Sequence, residues 1–178
     1  MNPTIRPMTP GDLDAAKRVI LGVAAGLFDP GHREAFVERW WTQLTDVDDW
    51  QRVYGPPRGV FLVALDGDQL IGTGAIRPHD ETTAELKRLW LLEAYHGQGI
   101  GYRLTAELLA FCRAAGYRRV WLSTDDTVQF RAIRFYERLG FRPIPPYNDS
   151  DDTLFMGLSL EEDAAGGRAS ARWKQEEG

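Results

Sequence analysis

Apolar residues recur at two different spacings along the chain, which indicates both helices and strands. A helical period predicts helices over residues 10–25 and 32–45, and Thr9 with Asp12 forms a capping box at the start of the first. Two stretches rich in Val, Leu, Ile and Ala predict antiparallel strands over 59–65 and 69–77, joined by the turn Asp66-Gly67-Asp68. The first half of the chain is therefore predicted to be a pair of helices followed by a hairpin.

The second half of the chain alternates strands and helices. Strands are predicted over 85–92 and 119–124, with a helix from about residue 100 to Gly116 between them. Because a helix crosses between these two strands, we expect them to run parallel. A helix over 129–139 and a last pair of strands within 141–160 complete the pattern. The fold class predicted is α/β, with a mixed, mostly antiparallel central sheet flanked by helices.

Composition is typical of one globular domain followed by a tail. A chain of 178 residues can bury one substantial core, which we assign to residues 1–160. Residues 161–178 are dominated by Glu, Ala, Gly, Arg and Lys, and this composition predicts a flexible tail. The sequence has neither a secretory signal nor an apolar run long enough to span a membrane, so a cytoplasmic protein is expected.

Charge and metal-ligand content restrict the expected partners. A net charge of -5, with no concentrated basic stripe, disfavours nucleic acid. The three histidines have no zinc-site spacing, so no metal is expected. Cys112, the single cysteine, lies in the middle of a predicted helix and is interpreted as a buried, inert thiol. A homodimer is the default expectation for assembly.

A glycine-rich segment between a predicted strand and helix carries the strongest chemical signal. In His96-Gly97-Gln98-Gly99-Ile100-Gly101 the alternating glycines let the backbone curl, so that several N–H groups point to one spot at the positive end of the helix dipole. Such a site binds pyrophosphate. A dinucleotide-binding motif would need a third glycine where Tyr102 stands, which leaves a Rossmann-type oxidoreductase as a weaker interpretation.

Two linked segments resemble the GNAT superfamily of N-acetyltransferases. The first, His96-x-x-Gly99-x-Gly101, is similar to the Gln/Arg-x-x-Gly-x-Gly/Ala loop of that family, with His in place of Gln or Arg. The second runs from Gln129 to Phe141 and is similar to Asn-x-x-Ala-x-x-Phe-Tyr-x-x-x-Gly-Phe, with Gln in place of Asn. The resemblance is strong over residues 85–144, and it extends in element order over residues 4–160.

The resemblance implies a fold whose fourth and fifth strands are parallel and splay apart to hold acetyl-CoA. It also implies direct acetyl transfer, through a ternary complex, to a primary amine of a small molecule or peptide. The backbones of Leu91 and Leu92 would pair with the pantetheine arm. The cofactor-binding residues implied are Leu91, Leu92, His96, Gly97, Gln98, Gly99, Ile100, Gly101, Gln129, Ala132 and Phe135.

Two side chains are implied to be catalytic. Tyr136 would be the acid that protonates the leaving thiolate, although an aromatic at helical spacing is also typical of a core position. Glu85 would be the general base, with Glu93 or a water chain as alternatives and a merely solvated charge as the simplest interpretation.

The acceptor and the catalytic competence are left open by the sequence. A non-catalytic acyl-CoA-binding regulatory module is the alternative function. The acidic segments 46–49 and 149–152 would suit a cationic acceptor, although solvated loops are often acidic for no such reason. Trp40 and Trp41 are adjacent, so at most one of them faces the core and the other is a candidate for the acceptor pocket.

Overall fold

A computed structural model describes residues 2–161, so the predicted tail beyond Glu161 lies outside the described residues. Seven strands form one sheet in the order β1-β2-β3-β4-β5-β7-β6. The strands are β1 Thr4–Pro7, β2 Val60–Asp66, β3 Gln69–Pro78, β4 Thr83–Leu91, β5 Arg119–Thr124, β6 Arg142–Pro143 and β7 Leu154–Ser159. Within this range β4 and β5 form the single parallel pair, and the other neighbours are antiparallel. The predicted sheet class is confirmed, and a doubly wound parallel sheet of the Rossmann type is excluded.

Helices cover both faces of this sheet. They are α1 Leu13–Phe28, α2 Arg33–Trp40, α3 Thr45–Asp48, α4 Trp50–Val53, α5 Ile100–Ala114 and α6 Phe130–Arg138. Short 3-10 turns occupy Pro10–Asp12, Trp41–Gln43 and Glu93–Tyr95. The first helix has the predicted length but begins and ends three residues later, because Pro10–Asp12 form a 3-10 turn and Gly26 is accommodated inside α1. The second is shorter than predicted because the chain tightens into a 3-10 turn after Trp40. No helix of residues 2–161 combines the length and apolarity that a membrane span requires.

The first helix begins where the sequence places a capping box. The backbone N–H of Thr9 donates to Asp12 at 2.8 Å, and the Thr9 hydroxyl donates to the same carboxylate at 2.9 Å. Arg6, on β1, pairs with Asp12 at 2.7 Å. This pairing lowers the pKa of Asp12 to about 2. The start of α1 is thus tied to the edge strand as well as capped locally.

Strand residues alternate between two cores. On one face α1 packs on residues that include Phe61, Val63 and Ala75, and on the other face α5 packs on residues that include Leu86 and Leu122. Because both faces of the central strands are covered, β2 and β3 are apolar nearly throughout instead of alternating apolar with polar residues.

Separation of β4 from β5 is the feature of the fold that creates space for a ligand. The two strands pair only over Thr83–Glu85 and Arg119–Trp121, although both continue further. Beyond this point β4 bulges at Arg88, whose φ of 55° is unusual for a residue with a side chain. The bulge turns the end of β4 away from β5, so the predicted splay of the fourth and fifth strands is confirmed.

Candidate active site

Backbone groups of β4 line the gap between the two strands. The N–H of Leu92 donates to the carbonyl of Ile71 at 2.9 Å, so Leu92 bonds to β3 and not toward β5. Peptide groups alternate along a strand, and the N–H and C=O of Leu91 and Leu89 therefore point into the gap. The N–H of Leu92 is thus engaged within the sheet, whereas the N–H of Leu91 faces the gap, and pairing of either residue with a pantetheine arm stays a prediction.

The glycine loop stands at the end of this gap and starts α5. Gly97 and Gly99 both have a φ of 76°, which a side chain would strain. The N–H of Arg103 donates to the carbonyl of Gly99, which is the first hydrogen bond of the α5 ladder. The N–H groups of Ile100 and Gly101 precede it and therefore point out of the helix end. The Ile100 side chain is only 2% exposed, which restricts this residue to a backbone role. Gln98 is exposed, and its amide donates to the carbonyl of Ala94 at 3.3 Å.

His96 is held by the protein through both ring nitrogens. Its Nε2–H donates to the carbonyl of Leu91 at 2.9 Å, and its Nδ1 accepts from Nη1 of Arg131 at 2.6 Å. A carbonyl only accepts and a guanidinium only donates, which assigns the proton to Nε2. Both ring nitrogens therefore already have partners within the protein, and binding of the cofactor by His96 stays a prediction. The exposed Arg131 instead brings a cation to the loop, and the sequence motif did not indicate it.

Helix α6 rests against the start of α5. Gln129 precedes its first turn and is half-buried, with its carbonyl accepting from the N–H of Ile133. A Cβ added to Gly101 would lie 4.0 Å from Cζ of Phe135, and Ala132 packs against the core that α5 covers. The two segments that carried the family resemblance are therefore in direct contact, although 28 positions separate Gly101 from Gln129 in the sequence.

Tyr136 is buried beneath the point where the strands separate. It is 8% exposed and belongs to the same apolar cluster as Leu86 of β4 and Leu122 of β5. Its ring meets that of Phe141 at 5.7 Å. Burial raises the pKa of the phenol, so its proton is retained at neutral pH. The hydroxyl makes no hydrogen bond with any residue from 2 to 161 and is free to donate to a bound ligand.

Glu85 approaches the gap from the opposite face of the sheet. It follows Ala84 and precedes Leu86, both of which face the Tyr136 side, so strand alternation directs Glu85 the other way. The carboxylate is 3% exposed; it pairs with Arg77 at 2.6 Å and accepts from the hydroxyl of Tyr147 at 2.8 Å. The interpretation of Glu85 as a solvated charge at a strand start is wrong, because Arg77 lies directly across the ladder.

Aromatic rings form a wall beside Glu85. The ring centroid of Tyr147 lies 5.0 Å from Trp121, 5.2 Å from His79 and 5.2 Å from Phe155. Burial, reinforced by the charge of Glu85, raises the pKa of Tyr147. In the sequence Tyr147 follows Pro145 and Pro146 between the last two predicted strands, where only its aromatic character could have marked it as part of a site.

A second ion pair braces the bulge of β4. Arg88 donates to both carboxylate oxygens of Asp46, at 2.9 and 2.7 Å, and Tyr54 donates to the same group. Burial acts to raise the pKa of Asp46, but the bonds from Arg88 outweigh it and the pKa is lowered. This contact fixes α3 beside the gap.

The acidic segment 46–49 is neutralised by the protein itself. Besides the pair that Asp46 makes with Arg88, Asp48 pairs with Lys17 at 2.6 Å, and Asp49 pairs with Arg52. These carboxylates are therefore engaged, which removes the basis for the suggestion that this segment attracts a cationic acceptor. Of the adjacent tryptophans, Trp40 is 41% exposed and Trp41 packs on the core, as their adjacency predicted.

Comparison with known proteins identifies similar chains. The model for the acetyltransferase (GNAT) family matches residues 24–141. An N-acetyltransferase of Schizosaccharomyces pombe is 33% identical over 113 residues, 61% of this chain and 69% of that one. An Escherichia coli N-acetyltransferase is 30% identical over 149 residues, 80% of this chain and 84% of the relative. Human N-acetylaspartate synthetase is 34% identical over 118 residues, 65% of this chain.

Coverage of these relatives varies. The chain spans about half, 54%, of a Mycobacterium tuberculosis N-acetyltransferase and 38% of N-acetylaspartate synthetase. Among solved structures, an N-acetyltransferase of Thermoplasma acidophilum in complex with coenzyme A has a TM-score of 0.72 at 22% identity, over 90% of this chain and 100% of that one. At that identity the likeness supports the fold.

Proposed function

The chain belongs to the acetyltransferase (GNAT) family, and on that premise we propose that it transfers the acetyl group of acetyl-CoA to a primary amine of a small molecule or peptide. The observation that carries the proposal is the gap between β4 and β5. The peptide groups of Leu89 and Leu91 line this gap, and the glycine loop, Gly97 to Gly101, lies at its end. Tyr136 and Glu85 approach it from opposite faces of the sheet.

The cofactor would be bound largely through backbone groups. The N–H of Leu91 would bond to the pantetheine arm, and the N–H groups from Gly97 to Gly101 would surround the pyrophosphate at the positive end of α5. Arg131 would add a charged donor beside them. Gln129, Ala132 and Phe135 would contact the arm from α6.

Direct transfer requires three proton movements. An alkylammonium with a pKa of about 10 must lose a proton before its nitrogen attacks the thioester carbonyl. As the C–N bond forms, the C–S bond breaks, and Tyr136 donates its proton to the departing thiolate sulfur, whose thiol has a pKa of about 8.5. Glu85 lies on the acceptor side, where it attracts the ammonium and passes the proton to water. The nitrogen that has formed the new C–N bond loses its second proton, which restores the phenol of Tyr136 through water, so the amide is neutral and the enzyme returns unchanged.

One relative supports an amine acceptor. N-acetylaspartate synthetase is named for an N-acetylated amino acid, and it matches 65% of this chain. This likeness agrees with a small amine as the acceptor, and it leaves the identity of the amine to experiment.

A thiol-release assay tests the proposal. Purified protein is mixed with acetyl-CoA and a panel of polyamines, amino acids, peptides and simple amines, and free CoA is measured with a thiol reagent. We expect amine-dependent release of CoA with at least one class, and the acetylated amine as product by mass spectrometry. Tight acetyl-CoA binding without release for any amine would favour the regulatory-module alternative.

A further inference from the structure

Lys87 is a cation without a partner on the acceptor side of the gap. It lies two residues after Glu85 on β4, opposite Ala75 in the ladder, so its side chain leaves the same face of the sheet as Glu85. Its neighbours Arg77 and Arg88 are paired, with Glu85 and Asp46 respectively. Lys87 makes neither a hydrogen bond nor an ion pair with any residue from 2 to 161.

The surroundings of Lys87 favour the arrival of an anion. The residue is half-buried, and burial lowers the pKa of its ammonium. The negative charges of Glu85 and Asp152 oppose this shift, whereas the positive charges of Arg77 and Arg88 act in the same direction as burial. Burying a cation away from water without an ion-pair partner costs free energy. A bound carboxylate would lower this cost by accepting hydrogen bonds from the ammonium in place of water.

The spacing of Glu85 and Lys87 suits a zwitterion. Residues two apart on a strand stand about 7 Å apart on one face. In an α-amino acid the ammonium and the carboxylate are joined through one carbon, so each group can reach the side chain of opposite charge. We propose that the acceptor is a free α-amino acid, whose carboxylate binds Lys87 while its amino group faces Glu85. This inference rests on the proposed acetyl transfer.

The aromatic wall provides the third contact. Trp121 and Tyr147 lie beside Glu85 on the same face, where they would pack against the side chain of the amino acid. The carboxylate of the acceptor then pairs with Lys87 and its ammonium with Glu85, and its apolar side chain packs against an aromatic ring. A plain alkylamine would leave Lys87 unpaired.

Matched acceptors and variants test this proposal. Rates of CoA release are measured for phenylalanine against phenethylamine and phenylalaninamide, and for histidine against histamine. The proteins are the native chain, Lys87→Met, Lys87→Arg, and Arg118→Met as a control that removes an exposed cation before β5. Melting curves check that each variant is folded, and calorimetry measures amino-acid binding in the presence of CoA.

We expect the native protein to favour amino acids over the amines at least about 10-fold in kcat/KM, since a charge-assisted bond is lost. Lys87→Met should remove this preference by slowing the amino acids alone, Lys87→Arg should keep part of it, and Arg118→Met should keep it all. Turnover of the plain amines at the rate of the amino acids, or equal loss for both in Lys87→Met, would overturn the carboxylate proposal and leave the transferase intact. No turnover with any acceptor would contradict acetyl transfer itself.

Discussion

The two sides of the gap between β4 and β5 are built in different ways. On the proposed cofactor side, the loop from Gly97 to Gly101 is one continuous segment that would act through backbone N–H groups. On the acceptor side, the site collects side chains from separate strands and a loop, including Arg77, Glu85 and Tyr147. One side is local in sequence and made of peptide groups, whereas the other is long-range and made of ion pairs and rings.

This difference indicates how the two sites would tolerate change. The cofactor side depends on conformation, because the left-handed glycines and the free helix end must stay in place. The acceptor side depends on residue type, because Arg77 and Arg88 are balanced by Glu85 and Asp46 whereas Lys87 has no ion-pair partner among residues 2–161. Substitutions on the cofactor side should therefore abolish acetyl-CoA binding. Substitutions on the acceptor side should alter the rate of transfer and the selectivity among acceptors.

The largest effect should come from Gly101→Val. A branched side chain at this position would stand where the backbone must approach the pyrophosphate, and its methyl groups would press on Phe135. We expect acetyl-CoA affinity to fall about 100-fold or more by calorimetry, a loss of roughly 2.7 kcal/mol. Gly22→Val is the matched control, because a Cβ at that helical glycine meets nothing within 4 Å. Unchanged affinity in Gly101→Val would refute the backbone role of the loop.

Tyr136→Phe should separate chemistry from binding. The phenol makes no hydrogen bond with residues 2–161, so its removal should leave the melting temperature and acetyl-CoA affinity nearly unchanged. The rate constant kcat should fall on the order of 10²-fold, as expected for loss of a general acid. Tyr117→Phe is the control for a structural hydroxyl, because the Tyr117 hydroxyl donates to the carbonyl of Arg58 at 2.7 Å. This variant should have a lower melting temperature and an unchanged kcat. Full kcat in Tyr136→Phe would eliminate this residue as the acid.

Glu85→Gln should affect the acceptor side with a smaller change in rate. The amide keeps the shape and can still accept from Tyr147, but the negative charge that faces the amine and balances Arg77 is lost. We expect kcat/KM for amines to fall about 10-fold, with unchanged affinity for acetyl-CoA and a lower melting temperature. Glu81→Gln, an exposed carboxylate nearby, should change none of these quantities. A parallel loss of cofactor affinity would show that the two sides are not independent.

Asp12→Asn should lower the stability of the fold modestly and leave both sides of the gap unchanged. Bonding to Arg6 holds the folded pKa of Asp12 near 2, below its unfolded value, so the charged form contributes stability above about pH 4 and that contribution is lost as pH falls through 2. Discounted for the partly exposed pair, the variant should lose about 1 kcal/mol at pH 7 by urea unfolding. The difference from the native protein should shrink between pH 5 and 2, and a constant difference would contradict the assignment.

The conformation of the glycine loop, the capping box at Thr9 and the parallel strands could be inferred from sequence because each depends on neighbouring residues. Glycine spacing sets the backbone angles of a turn, Asp12 caps within one helical turn, and a helix between two strands imposes their direction. Similarly, the helix from Gln129 could be placed to within a residue of α6, since its apolar period and closing glycine lie within the segment.

Tertiary structure decided which side chains meet around the gap. Ladder register places Arg77 opposite Glu85, the bulge at Arg88 directs that residue to Asp46, and the 144–153 segment returns Tyr147 across β5, none of which has a local signal. His96 is a further example of a partner that the sequence does not indicate. Its position in the motif suggested a contact with phosphate, whereas the packing of α6 places Arg131 against its ring. Local patterns encode backbone conformation, but partners distant in the chain are chosen only when the whole sheet and its helices pack together.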